Sequence, residues 1–236
     1  GVIALSSLLS HTVVLKNDGT IAAWGLNDDG QCDIPTGLSG IAAVAAGGGH
    51  TLALKDDGTV TAWGRNNPGQ CDVPDGLSGV TAIAAGTNHS LALTSDSTVV
   101  AWGYNYYGQC DIPGGLSGVV GITAGQYHSA ALKDDGTVVV WSTIEYIDLM
   151  GMPPGLSDVV TIAAGVENIL ALKSDGTVIG WGGDRYGQST FQNKSVYIYE
   201  YELELELNER NRDWNKEPGL PLPGSIEGYP GENPAH

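Results

Sequence analysis

The sequence copies itself every 39 residues. The string His-Ser/Thr-x-Ala/Val-Leu begins at His11, His50, His89 and His128, and a Trp follows 13 residues later each time, at Trp24, Trp63, Trp102 and Trp141. A fifth copy, Asn168-Ile169-Leu170-Ala171-Leu172 and then Trp181, is shifted by one position and has lost the histidine. A fixed period of about 20–50 residues is the mark of a solenoid, a propeller or an array, in which one supersecondary unit buries its faces only against its neighbours. The period therefore constrains the fold, and it also sorts the residues. A side chain present once per copy builds the copy, so functional residues are expected among those that break the pattern.

The second copy shows how one unit is written. Ile41–Gly47 is a short apolar strand ending in Gly, and His50–Leu54 alternates with Leu52 and Leu54 on one face. Asp57-Gly58 is a favoured two-residue hairpin turn because both positions tolerate positive φ. Thr59–Trp63 returns, and a polar loop, Arg65–Gln70, leads through Cys71-Asp72-Val73-Pro74 to the next unit. The turn recurs at Asp18-Gly19, Asp135-Gly136 and Asp175-Gly176, while Asp96-Ser97 is expected to be weaker. With 35 Gly and only 10 Lys plus Arg in 236 residues, the composition suits short strands and tight turns better than helices. The expectation is an all-β fold, a β-propeller of about five 39-residue repeats, with four-stranded blades fitting best. The repeats span about 1–40, 41–79, 80–118, 119–158 and 159–190, and an acidic tail occupies 191–236.

The pattern resembles the regulator of chromosome condensation repeat family. The residues that carry the resemblance are Ala45-Ala46-Gly47 with His50–Leu54, Asp57–Val60 and Ala62–Gln70 and their equivalents over about residues 1–190. The 39-residue unit is similar to the short bacterial variety, which includes propeller-type protein inhibitors of β-lactamases. The resemblance implies a propeller that binds proteins through loops on one face, and some eukaryotic relatives exchange nucleotides on small GTPases. The chain departs from the family, whose propellers commonly have seven blades, by showing five repeats. The fourth is degraded, with Ser142 after Trp141 and Ile147-Asp148-Leu149 where repeat three has Gly108-Gln109-Cys110.

The tail departs completely. Val196–Leu207 alternates strictly, with Tyr197, Tyr199, Tyr201, Leu203, Leu205 and Leu207 on one face and Glu200, Glu202, Glu204 and Glu206 on the other. This predicts one long β-strand over 196–207, followed by a Pro-rich end. Such a strand needs a partner, because an unpaired edge is an aggregation template. Three partners are open: the propeller of the same chain, the edge of a neighbouring subunit, giving oligomers or filaments, or a second small sheet domain.

The net charge of −17 argues against nucleic acid, whose binding rests on cationic contacts, and against an anionic membrane surface. No apolar run is long enough for a membrane-spanning helix. The chain opens at Gly1 without Met, and the expectation is an extracellular or cell-surface protein whose signal peptide has been removed. Cys32, Cys71 and Cys110 occupy one repeat position, so they read as small semi-buried thiols, with a soft-metal ladder or an intermolecular bridge as the alternative. The histidines are expected to hold turns by bonding backbone in their own blades, and the tryptophans to pack between blades. Asp33, Asp72 and Asp111 are expected to cap turns through their side chains, or to share calcium. No nucleophile elbow, phosphate loop, zinc-helix motif or dinucleotide fingerprint is present, so no cofactor, metal site or catalytic residue is assigned and the chain is expected not to be an enzyme.

What remains is non-periodic. Tyr104, Tyr106, Tyr107, Tyr127, Tyr146 and Tyr186, with Arg185, fall in the variable loops of repeats three to five. They are either scattered loop tyrosines or a recognition patch, since Tyr offers large area with a polar tip. The expected function is non-enzymatic binding of a protein partner through these loops, or of copies of itself through the tail strand. The alternatives are inhibition of a β-lactamase-like enzyme and nucleotide exchange on a small GTPase.

Overall fold

A computed structural model describes residues 1–143, 151–183 and 189. The chain divides into two compact units, Gly1–Val196 and Tyr197–His236. The predicted strand over 196–207 lies outside the described residues.

Each copy of the repeat forms one antiparallel three-stranded sheet, or blade. Blade one is β1 (Val2–Leu8), β2 (His11–Lys16) and β3 (Ile21–Gly25); blade two is β4 (Ile41–Ala46), β5 (His50–Lys55) and β6 (Val60–Gly64). Blade three is β7 (Val80–Ala85), β8 (His89–Thr94) and β9 (Val99–Gly103); blade four is β10 (Val119–Ala124), β11 (Ser129–Lys133) and β12 (Val138–Trp141). Blade five is β13 (Val159–Ala164), β14 (Asn168–Lys173) and β15 (Val178–Gly182). The strands are those the alternation predicts. Among the described residues no fourth strand is formed: after β3, for example, the chain runs through turns from Leu26 to Gly40 rather than pairing with the sheet. Its backbone is satisfied locally, for example by Asp33 N–H donating to Gly30 C=O at 3.0 Å and Leu38 N–H to Pro35 C=O at 3.3 Å.

The hairpin turns follow the sequence. Asp57 Oδ1 accepts from both the N–H and the hydroxyl of Thr59, and Gly58 sits at φ +78°. Ser97 takes the same left-handed place in blade three at φ +66°. The turn there forms despite the strain of placing a side chain at positive φ.

The core is divided rather than central. One cluster joins blades one and two (Leu15, Ile41, Ala53, Trp63), and equivalent clusters join two to three, three to four and four to five. This is the nearest-neighbour construction expected of repeats. The innermost strands β1, β4, β7, β10 and β13 line a common cavity of about 240 Å³. The architecture is an all-β propeller of five blades.

Candidate functional site

The blades are joined by a polar device that repeats with them. His11 Nε2 meets Thr51 Oγ1 on the next blade at 3.0 Å, and that hydroxyl donates to Gln31 C=O at 2.9 Å. Trp63 Nε1 donates to the same carbonyl at 3.0 Å. The set recurs as His50, Ser90, Gln70 and Trp102, and as His89, Ser129, Gln109 and Trp141. The sequence expectation that the histidines bond backbone in their own blades is not met: His11, His50 and His89 each reach forward to a hydroxyl on the following blade. Gly47, Gly86 and Gly125 make room for the rings, because a Cβ at any of them would collide with the imidazole three residues on. Burial lowers the pKa of His50 and His89 to about 3, and of His128 to about 4, so all three are held neutral.

The device fails at blade five, where Ile169 stands in the hydroxyl position. Among the described residues neither ring nitrogen of the buried His128 finds a partner, nor does the buried Trp181 Nε1. Equally periodic is the frame of the outer loops of blades one to three. Asn27, Asn66 and Asn105 donate through Nδ2 to Asp33, Asp72 and Asp111 and accept at Oδ1 from the N–H of Cys32, Cys71 and Cys110. The aspartates thus receive a side-chain amide six residues upstream rather than capping a turn directly. The three thiols are unpaired and donate to the carbonyls of Leu26, Arg65 and Tyr104. Burial pushes Cys71 up to about 11 and Cys110 to about 12, so neither is a reactive thiolate. Among the described residues no cluster of three or more His, Cys, Asp or Glu could hold a metal ion. The cavity lining carries no ionisable side chain; its polar members are Ser6, Ser7 and Thr123.

On this constant frame the side chains differ from blade to blade. Blade one presents Leu26, Asp28 and Asp29, blade two Arg65, Asn67 and Pro68, and blade three Tyr104, Tyr106 and Tyr107. The structure brings the blade-three tyrosines together. Tyr106 and Tyr107 pack edge to face at 4.9 Å between ring centroids, with Tyr104 at 6.4 and 6.1 Å from them. Tyr127, from the loop before His128 on blade four, packs edge to face on Tyr107 at 4.8 Å. The anchorage is specific: Tyr104 N–H donates to Asn88 C=O, Tyr107 N–H to Gln109 Oε1, and Thr143 N–H to Tyr107 C=O at 2.7 Å. Ser142, the residue that replaces Gly after Trp141, donates to Tyr127 C=O at 2.8 Å.

The four rings play two parts. Tyr107 and Tyr127 are half-buried and pack on the cluster between blades four and five. Tyr106 is 78% exposed and presents a ring and a hydroxyl to solvent, with Tyr104 half-buried beside it. The predicted Tyr146, Arg185 and Tyr186 lie outside the described residues. Sequence reasoning missed Gln31, Gln70 and Gln109 and the Ser/Thr after each His as joints between blades. Their strict periodicity was the available signal, but the partner in each bond lies on another repeat.

The profile of the regulator of chromosome condensation (RCC1) repeat matches residues 9–31, 41–70, 80–109, 119–142 and 159–188, more than half of the chain. The chain belongs to the RCC1 repeat family. No curated protein sequence matches it. Among solved structures, this RCC1-repeat chain is similar to human WBSCR16 (TM-score 0.63, 22% identity, 77% of this chain and 61% of that one). It is also similar to the ectodomain of the Physcomitrella patens receptor kinase CR4 (0.64, 24%, 77% and 52%). A third is yeast RCC1 (Prp20), solved bound to Kap60 (0.55, 19%, 78% and 70%). At these identities the likeness shows the RCC1 propeller fold alone. The chain spans about half to three-fifths of the length of the first two structures.

Proposed function

We propose that this RCC1-repeat chain is a non-enzymatic protein-binding module whose recognition surface is centred on Tyr106 and Tyr104. The observation that carries the reading is the cluster itself. Four tyrosines from two blades are in ring contact on a hydrogen-bonded frame, and the outermost is 78% exposed. Rigid aromatic anchors with polar tips are the side chains that dominate binding energy in protein interfaces, because they bury large area at small entropic cost. The equivalent loops of blades one and two carry the same frame without the rings. Protein binding by a relative supports the reading: yeast RCC1 (Prp20) has been solved bound to Kap60.

The test places a photo-crosslinking amino acid at position 106 and, as controls, at the equivalent positions 28 and 67. A protein labelled from 106 but not from 28 or 67, and lost on Tyr104→Ala with the fold intact, supports the reading. Equal labelling from all three positions overturns it. The reading also locates the protein outside the cell or on its surface, which fractionation of the producing cells tests. It gives the segment 196–207 a role in assembly, tested by sizing the chain with residues 192–236 removed.

A further inference from the structure

The charged side chains are sorted between the two ends of the blades. The register pairs His11, His50 and His89 with Gly25, Gly64 and Gly103, so each outer loop leaves from the end that carries the residues before the histidine. Backbone bonds tie the two segments there: Leu26, Arg65 and Tyr104 N–H donate to Ser10, Gly49 and Asn88 C=O at 2.8–2.9 Å. The hairpins lie at the other end, where Lys16, Lys55, Lys133 and Lys173 N–H donate across them to Thr20, Thr59, Thr137 and Thr177 C=O. Those four are the lysines of the described residues, and Arg65 is the one cationic side chain described at the loop end. Carboxylates occupy both ends. Asp28, Asp29, Asp33, Asp72, Asp111 and Glu167 stand at the loop end. The two ion pairs among the described residues, Lys133 with Asp135 and Lys173 with Asp158, are both at the hairpin end.

The tyrosine cluster stands at this unneutralised end. Asp111 lies in the tyrosines' own loop, exposed and held through Oδ1 by Asn105. Glu167 follows Val166, whose C=O takes Gln126 N–H at 2.9 Å beside Tyr127. We propose that the partner bound at Tyr104 and Tyr106 presents a segment rich in Lys or Arg, a refinement that rests on the protein-binding reading above. Two properties of the surface select that chemistry. The exposed ring of Tyr106 attracts a guanidinium or ammonium through its quadrupole. The field around it is negative, set by six carboxylates against one arginine among the described residues. An acidic partner would meet like charge there, whereas a basic one finds both attractions at once. The carboxylates steer its approach, and the rings supply the area that is buried on contact.

The probes are two labelled peptides of equal length, one alternating Arg with Gly and one alternating Glu with Gly, titrated with the full chain and read by fluorescence anisotropy. The Arg-Gly peptide is expected to bind and the Glu-Gly peptide not to. Raising salt from about 0.1 M to about 1 M shortens the screening length from about 10 Å to about 3 Å and should weaken binding about tenfold or more. Tyr106→Ala should weaken it about three- to tenfold, while Tyr106→Phe, which keeps the ring, should hold it within about twofold. Charge placement is compared at about 0.01 M salt, where the screening length is about 30 Å. There Asp29→Asn with Glu167→Gln should cost more affinity than Asp56→Asn with Asp134→Asn, which removes the same charge from the hairpin end. Equal losses from the two pairs overturn the proposal, because they mean attraction by the net charge of −17 alone. So does an Arg-Gly peptide that fails to bind, or one whose affinity is unchanged by Tyr106→Ala. Any of these results leaves the protein-binding reading standing if position 106 still labels a protein that positions 28 and 67 do not. Equal labelling from all three positions removes both.

Discussion

Acidification should unfold this protein through its histidines, well above the pH at which its carboxylates titrate. His50, His89 and His128 are fully buried and neutral, with pKa values of about 3, 3 and 4. In the unfolded chain each returns to about 6.5. Below that value the unfolded state takes up protons that the folded state refuses, so the stabilisation present at neutral pH is lost as pH falls towards the folded values. Each histidine then contributes about 1.4 kcal/mol per pH unit. By about pH 5 the loss is ~2 kcal/mol per residue and ~6 kcal/mol for the three, comparable with the whole stability of an ordinary domain. His11, lowered by partial burial, adds in the same direction. The turn aspartates do not compete. Asp18, Asp57, Asp96, Asp135 and Asp175 are held below the usual carboxylate value mainly by hydrogen bonds from neighbouring Thr residues, so their contribution fades only below about pH 4. Urea midpoints measured at closely spaced pH values, by tryptophan fluorescence and circular dichroism together, give the protons taken up on unfolding. The expected uptake approaches three between about pH 5.5 and 5, and His89→Gln should reduce it by one. An uptake of one or fewer, or a slope unchanged by His89→Gln, would refute the argument that the joints hold neutral imidazoles.

Three further outcomes follow from the same joints and turns. Ser90→Ala removes the hydroxyl between His50 and Gln70 C=O and should cost about 1–3 kcal/mol, because a buried ring nitrogen loses its partner; a shift in urea midpoint at unchanged slope reads it. Gly86→Ala puts a methyl against the His89 ring and 2.5 Å from Gly125 C=O, so it should lower stability by about 3 kcal/mol or prevent folding, seen as a lowered thermal midpoint. Ser97→Gly relieves a φ of +66° and should raise stability by about 0.5–1 kcal/mol, since the strain removed exceeds the added chain entropy; a midpoint that falls instead would show that Ser97 makes a contact worth more than the strain.

The period, the strand boundaries and the Asp-Gly turns were readable without coordinates because they depend on interactions within one repeat. Alternation fixes which face of β5 is apolar, and Asp57-Gly58 fixes where it turns, whatever lies beside them. Setting periodic residues apart as architecture also held for His, Trp and Cys. The details of the joints did not follow, because His50, Ser90 and Gln70 come from three places in the chain and meet only when two blades are apposed. The same limit applies to the fourth strand, which alternation could not exclude but which the chain replaces with a framed loop. It applies equally to the tyrosines: sequence marked Tyr104, Tyr106, Tyr107 and Tyr127 as exceptions to the period, while their contact depends on blade four standing beside blade three. The sequence alone therefore determined the unit, its number of copies and the residues that break the pattern. Only the tertiary structure decided what each unit leaves unsatisfied, including the buried His128 and the exposed Trp24, because satisfaction is a property of the neighbouring blade and not of the repeat that carries the residue.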